Sequence, residues 1–392
     1  MSAPHVIIIG AGSTGAATAH DLAMRGVRVT VLERGEIASG TTGRNHCLLH
    51  AGGRYCVKDQ ESAIECIDEN LILRRIMPEV LELNDGLFVA ITEDDLAFKD
   101  KFLEGCAACH IPARDIPVKQ ALEMEPFLNP KVLAAVQVPD GVFEPFRFCL
   151  AFLATAKQNG ATIRPYTEVT DLTRSGRSVT GVKMLDHRTG KTETLGADLV
   201  INATGPWAEK VAKMAGVDVP VSPTAGVMVT ISKRLNNMVV NRLNKPSDGD
   251  IVVPQRTTGI IGTTSWTVLD PDQIDIPQDH IDKMIHKGQE MIPAIQQTTI
   301  RGVGAVARPL IRRAGGDERE VSRTFECFDH QRDGVDGFVT ISGGKTTTAR
   351  AMAEKVSDIA CAKLGVQAAC RTRETPLASY RLYYALVSRY VS

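Results

Sequence analysis

Residues 5–9, His5 followed by Val6, Ile7, Ile8 and Ile9, form a short apolar run of the kind that makes a strand buried on both faces. A glycine-rich turn follows, then an Ala-rich stretch ending at Arg25 and Gly26 that reads as a helix, then a second apolar strand over 27–32. Residues 59–83 repeat apolar positions at helical spacing, with Ile64, Ile67, Leu71, Ile76 and Val80 on the face expected to be buried. Residues 86–92 read as a strand and 93–109 as a helix, while 113–148 is proline-rich and predicted to be irregular. A helix over 147–159 ends at Gly160, and short strands follow at 161–165, 169–174, 181–186, 192–195 and 199–201. Residues 224–268, rich in Val, Ile and Thr, predict a meander of antiparallel strands, and 279–291 a helix. The last unit is a strand over 338–342, then Gly343 and Gly344, then a helix over 345–364.

This order predicts an α/β protein with a second, α+β part, the two interleaved and each discontinuous in sequence. The division expected is 1–85, 145–220 and 335–370 for the first domain, 86–144 and 221–334 for the second, and 371–392 as a C-terminal tail.

The first unit carries chemistry. Gly10 permits a tight turn, Gly12 lets the backbone approach a pyrophosphate, Gly15 lets helix and strand pack closely, and the helix N-terminus faces the anion. Glu33 ends the second strand, where an acid hydrogen-bonds a ribose diol and repels a 2′-phosphate. Strand, turn, helix and acid together predict a bound dinucleotide, and on these residues alone FAD and NAD both remain open.

Bulk properties narrow the class. The chain has 392 residues, enough for two domains, and a net charge of −1 with no basic run, which gives no reason to expect nucleic acid. No apolar stretch has the length of a membrane span, and the start of the first strand at residue 5 leaves no room for a secretory signal, so the expectation is a cytoplasmic protein. Peripheral contact with the inner face of the cytoplasmic membrane stays open. The nine cysteines are expected to be free thiols. Cys106, Cys109 and His110 match a haem-attachment spacing, but Cys106 continues the helical stripe of Leu96 and Leu103 and reads as core. No Cys/His grouping has zinc or iron–sulfur spacing, so no metal is expected.

Several longer motifs carry a resemblance. They are GAGSTGAATAHDLAMRG at 10–26, Glu33 with Arg34, SGTTGRNHCLLHAGGRY at 39–55, DGVFEPFR at 140–147, NATGPW at 202–207, KPSDGDIVVP at 245–254, IIGTT at 260–264, Arg308 with Pro309, and SGGKTTTAR at 342–350. With these the chain resembles the FAD-dependent glycerol-3-phosphate dehydrogenases of the D-amino-acid-oxidase-like flavoprotein superfamily. It is most like the catalytic A subunits of the anaerobic bacterial enzymes, without their cysteine-rich C-terminal domain. The resemblance covers about residues 4–366 and implies a Rossmann-type FAD-binding domain interleaved with an antiparallel-sheet substrate domain. It also implies noncovalent FAD held by Gly10, Gly12, Ser13, Thr14 and Gly15, by Glu33 and Arg34, and by Thr41, Thr42, Gly43, Asn45 and His46. Val169, Ala203, Thr204, Gly205, Trp207, Gly262 and Arg308 complete that set with Gly343, Gly344, Lys345, Thr346 and Thr347. The Gly343–Gly344 turn is expected to aim a helix N-terminus at the pyrimidine edge of the flavin, which becomes negative on reduction.

The resemblance further implies glycerol 3-phosphate, or a similar anionic alcohol, as substrate. Arg54, Tyr55, Arg308, Arg323 and Lys345 match its substrate-binding positions, and a phosphate dianion calls for such converging cations. The reaction expected is hydride transfer from C2 to flavin N5, with His50 taking the hydroxyl proton and Arg308 stabilising the oxygen. His330 is a weaker acid–base candidate, and His46 and His50 raise covalent flavin attachment as a lesser alternative. Electrons are expected to pass to a quinone or to electron-accepting subunits. Two departures bear on substrate. Gly304 to Ala307 replaces a Tyr-Ser-Gly run, and Ala349 stands where a tyrosine is common, both read as removing polar groups near the pocket. Another polyol phosphate, a phosphonate, a 2-hydroxy acid or an amino acid remain as alternatives. The tail, with Tyr380, Arg381, Tyr383, Tyr384, Arg389 and Tyr390, is read as an interfacial helix, a partner surface or a frayed end.

Overall fold

The computed structural model describes residues 3–312 and 323–385. Its first sheet has six strands in the order Phe325–Asp329, Phe338–Gly343, Leu199–Asn202, His5–Ile9, Arg28–Leu32, Thr162–Arg164, all parallel except the first pair. The alternation of a doubly covered strand is explicit. Val6 and Ile8 pack into the core of helices Ser13–Met24, Pro145–Gln158 and Ala349–Leu364. Ile7 and Ile9 pack on the opposite side with helix Ala208–Met214 and the antiparallel strands Thr167–Ser175 and Ser178–Asp186. Burying a side chain such as Ile7 or Ile8, both 0% exposed, contributes about 1.5–3 kcal/mol each.

The second sheet has nine strands and is mostly antiparallel. Strand Val221–Ile231 lies within it, paired along its length with Ile300–Ile311. Helix Gln278–Met291 covers one face through Met284 and Met291. One pair, Val239–Arg242 with Gly86–Ala90, is parallel, so a strand that arrives from earlier in the chain extends the expected antiparallel strands at their Val239–Arg242 edge. A separate three-stranded sheet brings Leu48–Leu49 beside Gly141–Phe143, and Gly141–Phe143 beside Leu81–Glu82.

Several expectations need correction. The helix predicted over 59–83 runs from Gln60 to Ile76, because Pro78 cannot continue it. Its buried face is also rotated from the one expected: Ile64 and Leu71 are exposed, while Glu69 and Asn70 are buried. Glu69 pairs with Arg350, and Asn70 donates to Leu49 O and Pro139 O, so polar groups with partners take positions that hydrophobic counting gives to solvent. The helix predicted over 93–109 is two, Glu93–Ala97 and Lys99–Ala108. Residues 113–148 are not irregular: they contain Arg114–Ile116, helix Val118–Met124, Ala134–Val138 and Gly141–Phe143. Cys106 lies in the core as expected, its Sγ 3.8 Å from that of Cys56. Strand Phe325–Asp329 pairs in the parallel sheet although its segment falls in the second expected domain, and we propose the boundary be drawn before it.

The tail is docked rather than free over its described part. Leu377 N donates to Ile76 O at 2.8 Å, Lys157 Nζ donates to Tyr383 O at 2.8 Å, and Tyr383 is buried. The guanidinium groups of Arg147 and Arg381 each lie over the Tyr380 ring, 4.9 Å from its centre. Tyr383 therefore packs on the parallel-sheet part, while Leu382 and Tyr384 are exposed. Arg389 and Tyr390 lie outside the described residues.

Candidate active site

The carboxyl ends of the parallel strands and the nine-stranded sheet enclose a cavity of about 1240 Å³. Strand ends are where α/β sheets bind ligands, because the turns there expose backbone amides.

One half of the cavity has the features of a dinucleotide site. Gly10 has φ +104°, and a Cβ there would stand 2.8 Å from Ala203 O, so only glycine permits the turn. Helix Ser13–Met24 starts at Gly12 with no side-chain cap; Ser13 N donates to Thr42 Oγ1 at 3.0 Å, and the helix start meets the cavity at Gly12, Ser13 and Thr14. The Glu33 carboxylate is fixed by Ala11 N at 2.8 Å and Gly35 N at 2.9 Å. A diphosphate at that helix end and a ribose diol at that carboxylate match the donors and acceptors present, so the residues fit FAD. Thr41, Thr42, Asn45, His46, Val169, Ala203, Thr204, Gly205 and Trp207 also line the cavity, as do Gly343 to Thr347.

The opposite end gathers the cations. Arg308 is held rigidly by strand Val221–Ile231 and the following loop: its Nε donates to Thr224 O at 3.2 Å, and its Nη2 lies 2.9–3.0 Å from Ala225 O, Thr264 O and Ser265 Oγ. Burial, reinforced by the Arg323 charge, pulls its pKa down to about 9. Arg323 Nη1 is buried and finds no hydrogen-bond partner among the described residues. Lys345 Nζ donates to Arg323 O at 2.8 Å and lies 5.0 Å from the Tyr55 ring. Arg54 is 3.8 Å from Asp250. His50 stands between, its ring 5.4 Å from Tyr55 and 5.7 Å from His46. Burial, then the charges of His46, Lys345 and Arg54, holds His50 well below the usual histidine value. Burial with Arg54 and Arg308 holds His46 at about 4. Both rings are neutral at pH 7. The end is a chamber rich in cations, with the neutral rings of His50 and His46 among them and the carboxylates of Asp59 and Asp248 in its wall.

Some expected residues do not line the cavity. Gly15 stands behind its wall, where a Cβ would come within 1.9 Å of Gly10 O; its role is packing. Gly43 and Gly262 are also absent from the lining. His330 is fully buried behind the sheet, its Nδ1 2.8 Å from Asp333 and its Nε2 2.9 Å from Thr340, and it takes no part in the site. The two departures separate: Ala305 and Val306 line the cavity, whereas Ala349 is buried in the core as the first residue of the last long helix. The Gly343–Gly344 turn also differs from expectation. A 3-10 turn, Thr346–Thr348, intervenes before helix Ala349–Leu364, Gly344 N donates to Thr324 O, and Lys345 N donates to Thr348 Oγ1. Thr346 and Thr347 are left as the residues of that turn facing the cavity.

Sequence reasoning missed other wall residues. Lys245 to Asp248 line the cavity, in a loop anchored by Asp250, which accepts from Ser247 N at 2.5 Å and Ser247 Oγ at 3.1 Å. The 245–254 motif was a signal for this loop. Thr264, which holds Arg308 with Ser265, had one in the 260–264 motif, and Ser265 directly follows it. Asp272, in a segment of no recognisable pattern, had none.

The chain matches the FAD dependent oxidoreductase (DAO) family over residues 5–358. It belongs to that family. Its relatives include two anaerobic glycerol-3-phosphate dehydrogenase proteins. The A1 subunit from Haloferax volcanii is 45% identical over 391 residues, covering 95% of this chain and 66% of that protein. The A subunit from Escherichia coli (strain K12) is 44% identical over 379 residues, covering 95% and 69%. The chain thus spans about two thirds of the length of these relatives. Among solved structures, the glycerol-3-phosphate dehydrogenase from Bacillus halodurans complexed with FAD superimposes with a TM-score of 0.75 at 24% identity, covering 96% of this chain and 68% of that one. Glycine oxidase from Bacillus cereus gives 0.74 at 20% identity, covering 92% and 98%. These two establish the fold, and the flavoprotein family establishes FAD as the cofactor.

Proposed function

We propose that this flavoprotein oxidises the C2 hydroxyl of sn-glycerol 3-phosphate to dihydroxyacetone phosphate and passes the electrons to a quinone or to an electron-accepting partner protein. The observation that carries the reading is the convergence of Arg54, Arg308, Arg323 and Lys345 on the cavity end that also holds His50 and Tyr55. A carboxylate substrate is satisfied by one bidentate arginine, whereas a dianion with three equivalent oxygens uses several cations. The names of the Haloferax and Escherichia relatives support the same substrate.

FAD, when bound, supplies the acceptor for the hydride leaving C2. The chain does the rest. Arg54, Arg323 and Lys345 bind the phosphate; Arg308, which cannot swing away from its four acceptors, faces the C2 oxygen and stabilises the charge growing there. His50, neutral and buried, accepts the hydroxyl proton. The dianion offsets the surrounding positive charge, so substrate binding raises the basicity of His50 when it is needed. Among the described residues no helix is long and apolar enough to cross a membrane, so any membrane contact in this proposal is peripheral.

The test is turnover with glycerol 3-phosphate and a soluble quinone analogue. Dihydroxyacetone phosphate should form in equal amount to reduced quinone, with glycerol a far poorer donor. Quinone reduction without that product overturns the assignment, and peroxide formed as fast with oxygen overturns the acceptor.

A further inference from the structure

Residues 268–277 leave the short strand Trp266–Thr267 and cross to the rim of the parallel sheet before helix Gln278–Met291 begins. At the rim Asp272 accepts two hydrogen bonds from Arg34, at 2.6 and 3.2 Å, and one from the Trp207 indole at 3.0 Å. The Arg34 guanidinium in turn lies over the Trp207 ring, 4.4 Å from its centre. Each member of the triangle touches the other two, and all three line the cavity together with Pro271 and Ile274. The position is specific. Arg34 directly follows Glu33, and Trp207 lies against the loop at Gly40, where a Cβ would come within 3.2 Å of the indole. Leu269, near the same crossing, is fully exposed and gives the segment no apolar anchor there. Asp272 thus ties the crossing that leaves the nine-stranded sheet to the loops after two parallel strands, at the Glu33 end of the cavity.

We propose that residues 268–277 form a strap across the adenosine end of the FAD site, with Asp272, Arg34 and Trp207 as its latch, and that opening this latch limits cofactor release. The proposal rests on the reading that FAD occupies the cavity with its ribose at Glu33. An exposed ion pair alone adds little to the stability of a fold. This one bridges two sheets across the way out, and its arginine is also stacked on an indole, so its effect falls on the rate of opening. Asp272 is a positioning residue in this account and takes no part in the chemistry.

The experiment is FAD release from the holoprotein, followed by the rise in flavin fluorescence on dilution into an excess of a competing flavin-binding apoprotein. Asp272→Ala and Arg34→Ala should each speed release by about tenfold, as loss of an interfacial contact acts mainly through the off-rate. The double variant should be no faster than the quicker single variant, because the two residues form one latch. Added salt should accelerate release from the wild type and have little effect on Asp272→Ala, since the ion pair is partly exposed. KM for glycerol 3-phosphate at saturating FAD should be unchanged in Asp272→Ala, whose side chain belongs to neither the expected FAD set nor the cation cluster. Release from Asp272→Ala at the wild-type rate, with FAD bound in both, overturns the latch alone. Wild-type protein that binds no FAD overturns the cofactor reading beneath it.

Discussion

The backbone amide of His50 donates to the Thr347 hydroxyl at 3.2 Å. Through that bond the loop bearing the proposed base, residues 46–55, is tied to the turn after the Gly343–Gly344 pair, far away in sequence. Lys345, two residues before Thr347, is bonded in turn to Arg323 O, so base and cations are held by one short network. The His50–Thr347 bond uses no charged side chain, so it stays in place when Arg54, Arg308, Arg323 or Lys345 is truncated, whereas the Lys345–Arg323 bond is lost in Lys345→Ala.

Single removal of each cation tests the phosphate chamber while the His50–Thr347 bond stays in place. Arg54→Ala, Arg308→Ala, Arg323→Ala and Lys345→Ala should each lower kcat/KM for glycerol 3-phosphate at least tenfold while FAD stays bound. Truncating one partner of a buried charge pair costs about 2–5 kcal/mol, so tenfold is a floor. The measurement is steady-state kinetics on protein of unchanged flavin content; saturation curves like the wild type in all four would remove the phosphate chamber.

A pH profile checks the base. The His50 pKa lies well below 6.5 in the folded protein, so the neutral form needed for proton abstraction persists below that pH. kcat/KM, which reports the substrate-free enzyme, should be lost as pH falls through the lowered value, not through 6.5. His50→Gln should reduce kcat by about a hundredfold or more, the usual range for a general base, and flatten the acid limb. A wild-type acid limb centred at or above 6.5, or one that survives in His50→Gln, would assign the base elsewhere.

The legible part of this protein was what local chemistry dictates. The strand, glycine turn and helix from His5 to Met24 and the acid at Glu33 could be read directly, since turn geometry and ribose recognition leave few alternatives. The cations came from motif resemblance, and the structure gathers them into one chamber. Strand Ile300–Ile311, which carries Arg308, was missed because Gly302 and Gly304 interrupt its apolar alternation; its pairing with Val221–Ile231 forms it. The rotated face of helix Gln60–Ile76 failed similarly, because the Glu69–Arg350 pair makes a charged residue buried. Asp272 was invisible, since its meaning lies entirely in distant Arg34 and Trp207.

Acid sensitivity of the fold should trace in part to His20. Its ring is fully buried against Phe152, neither nitrogen has a partner among the described residues, and burial lowers its pKa to about 3. A histidine lowered from 6.5 binds fewer protons folded than unfolded, so its contribution is complete above 6.5 and declines as pH falls towards 3. The slope is at most about 1.4 kcal/mol per pH unit. Urea midpoints at pH 7.5 and 5 should converge in His20→Leu relative to wild type. An unchanged difference would show that other groups carry the acid lability.

Flavin attachment is a simpler check. Acid precipitation should release yellow FAD into the supernatant, because Glu33 and the Gly12 helix end fit a dinucleotide held by hydrogen bonds. Flavin retained in the pellet would mean a covalent bond, with His46 or His50 the first residues to examine.

The most direct test of the central claim is anaerobic stopped-flow reduction of the bound flavin by a panel of donors at equal concentration. Glycerol 3-phosphate should bleach the oxidised flavin band rapidly and to completion, while glycerol, 2-hydroxy acids and amino acids leave it nearly unchanged. Bleaching by an amino acid or a 2-hydroxy acid, with glycerol 3-phosphate inert, would contradict the account.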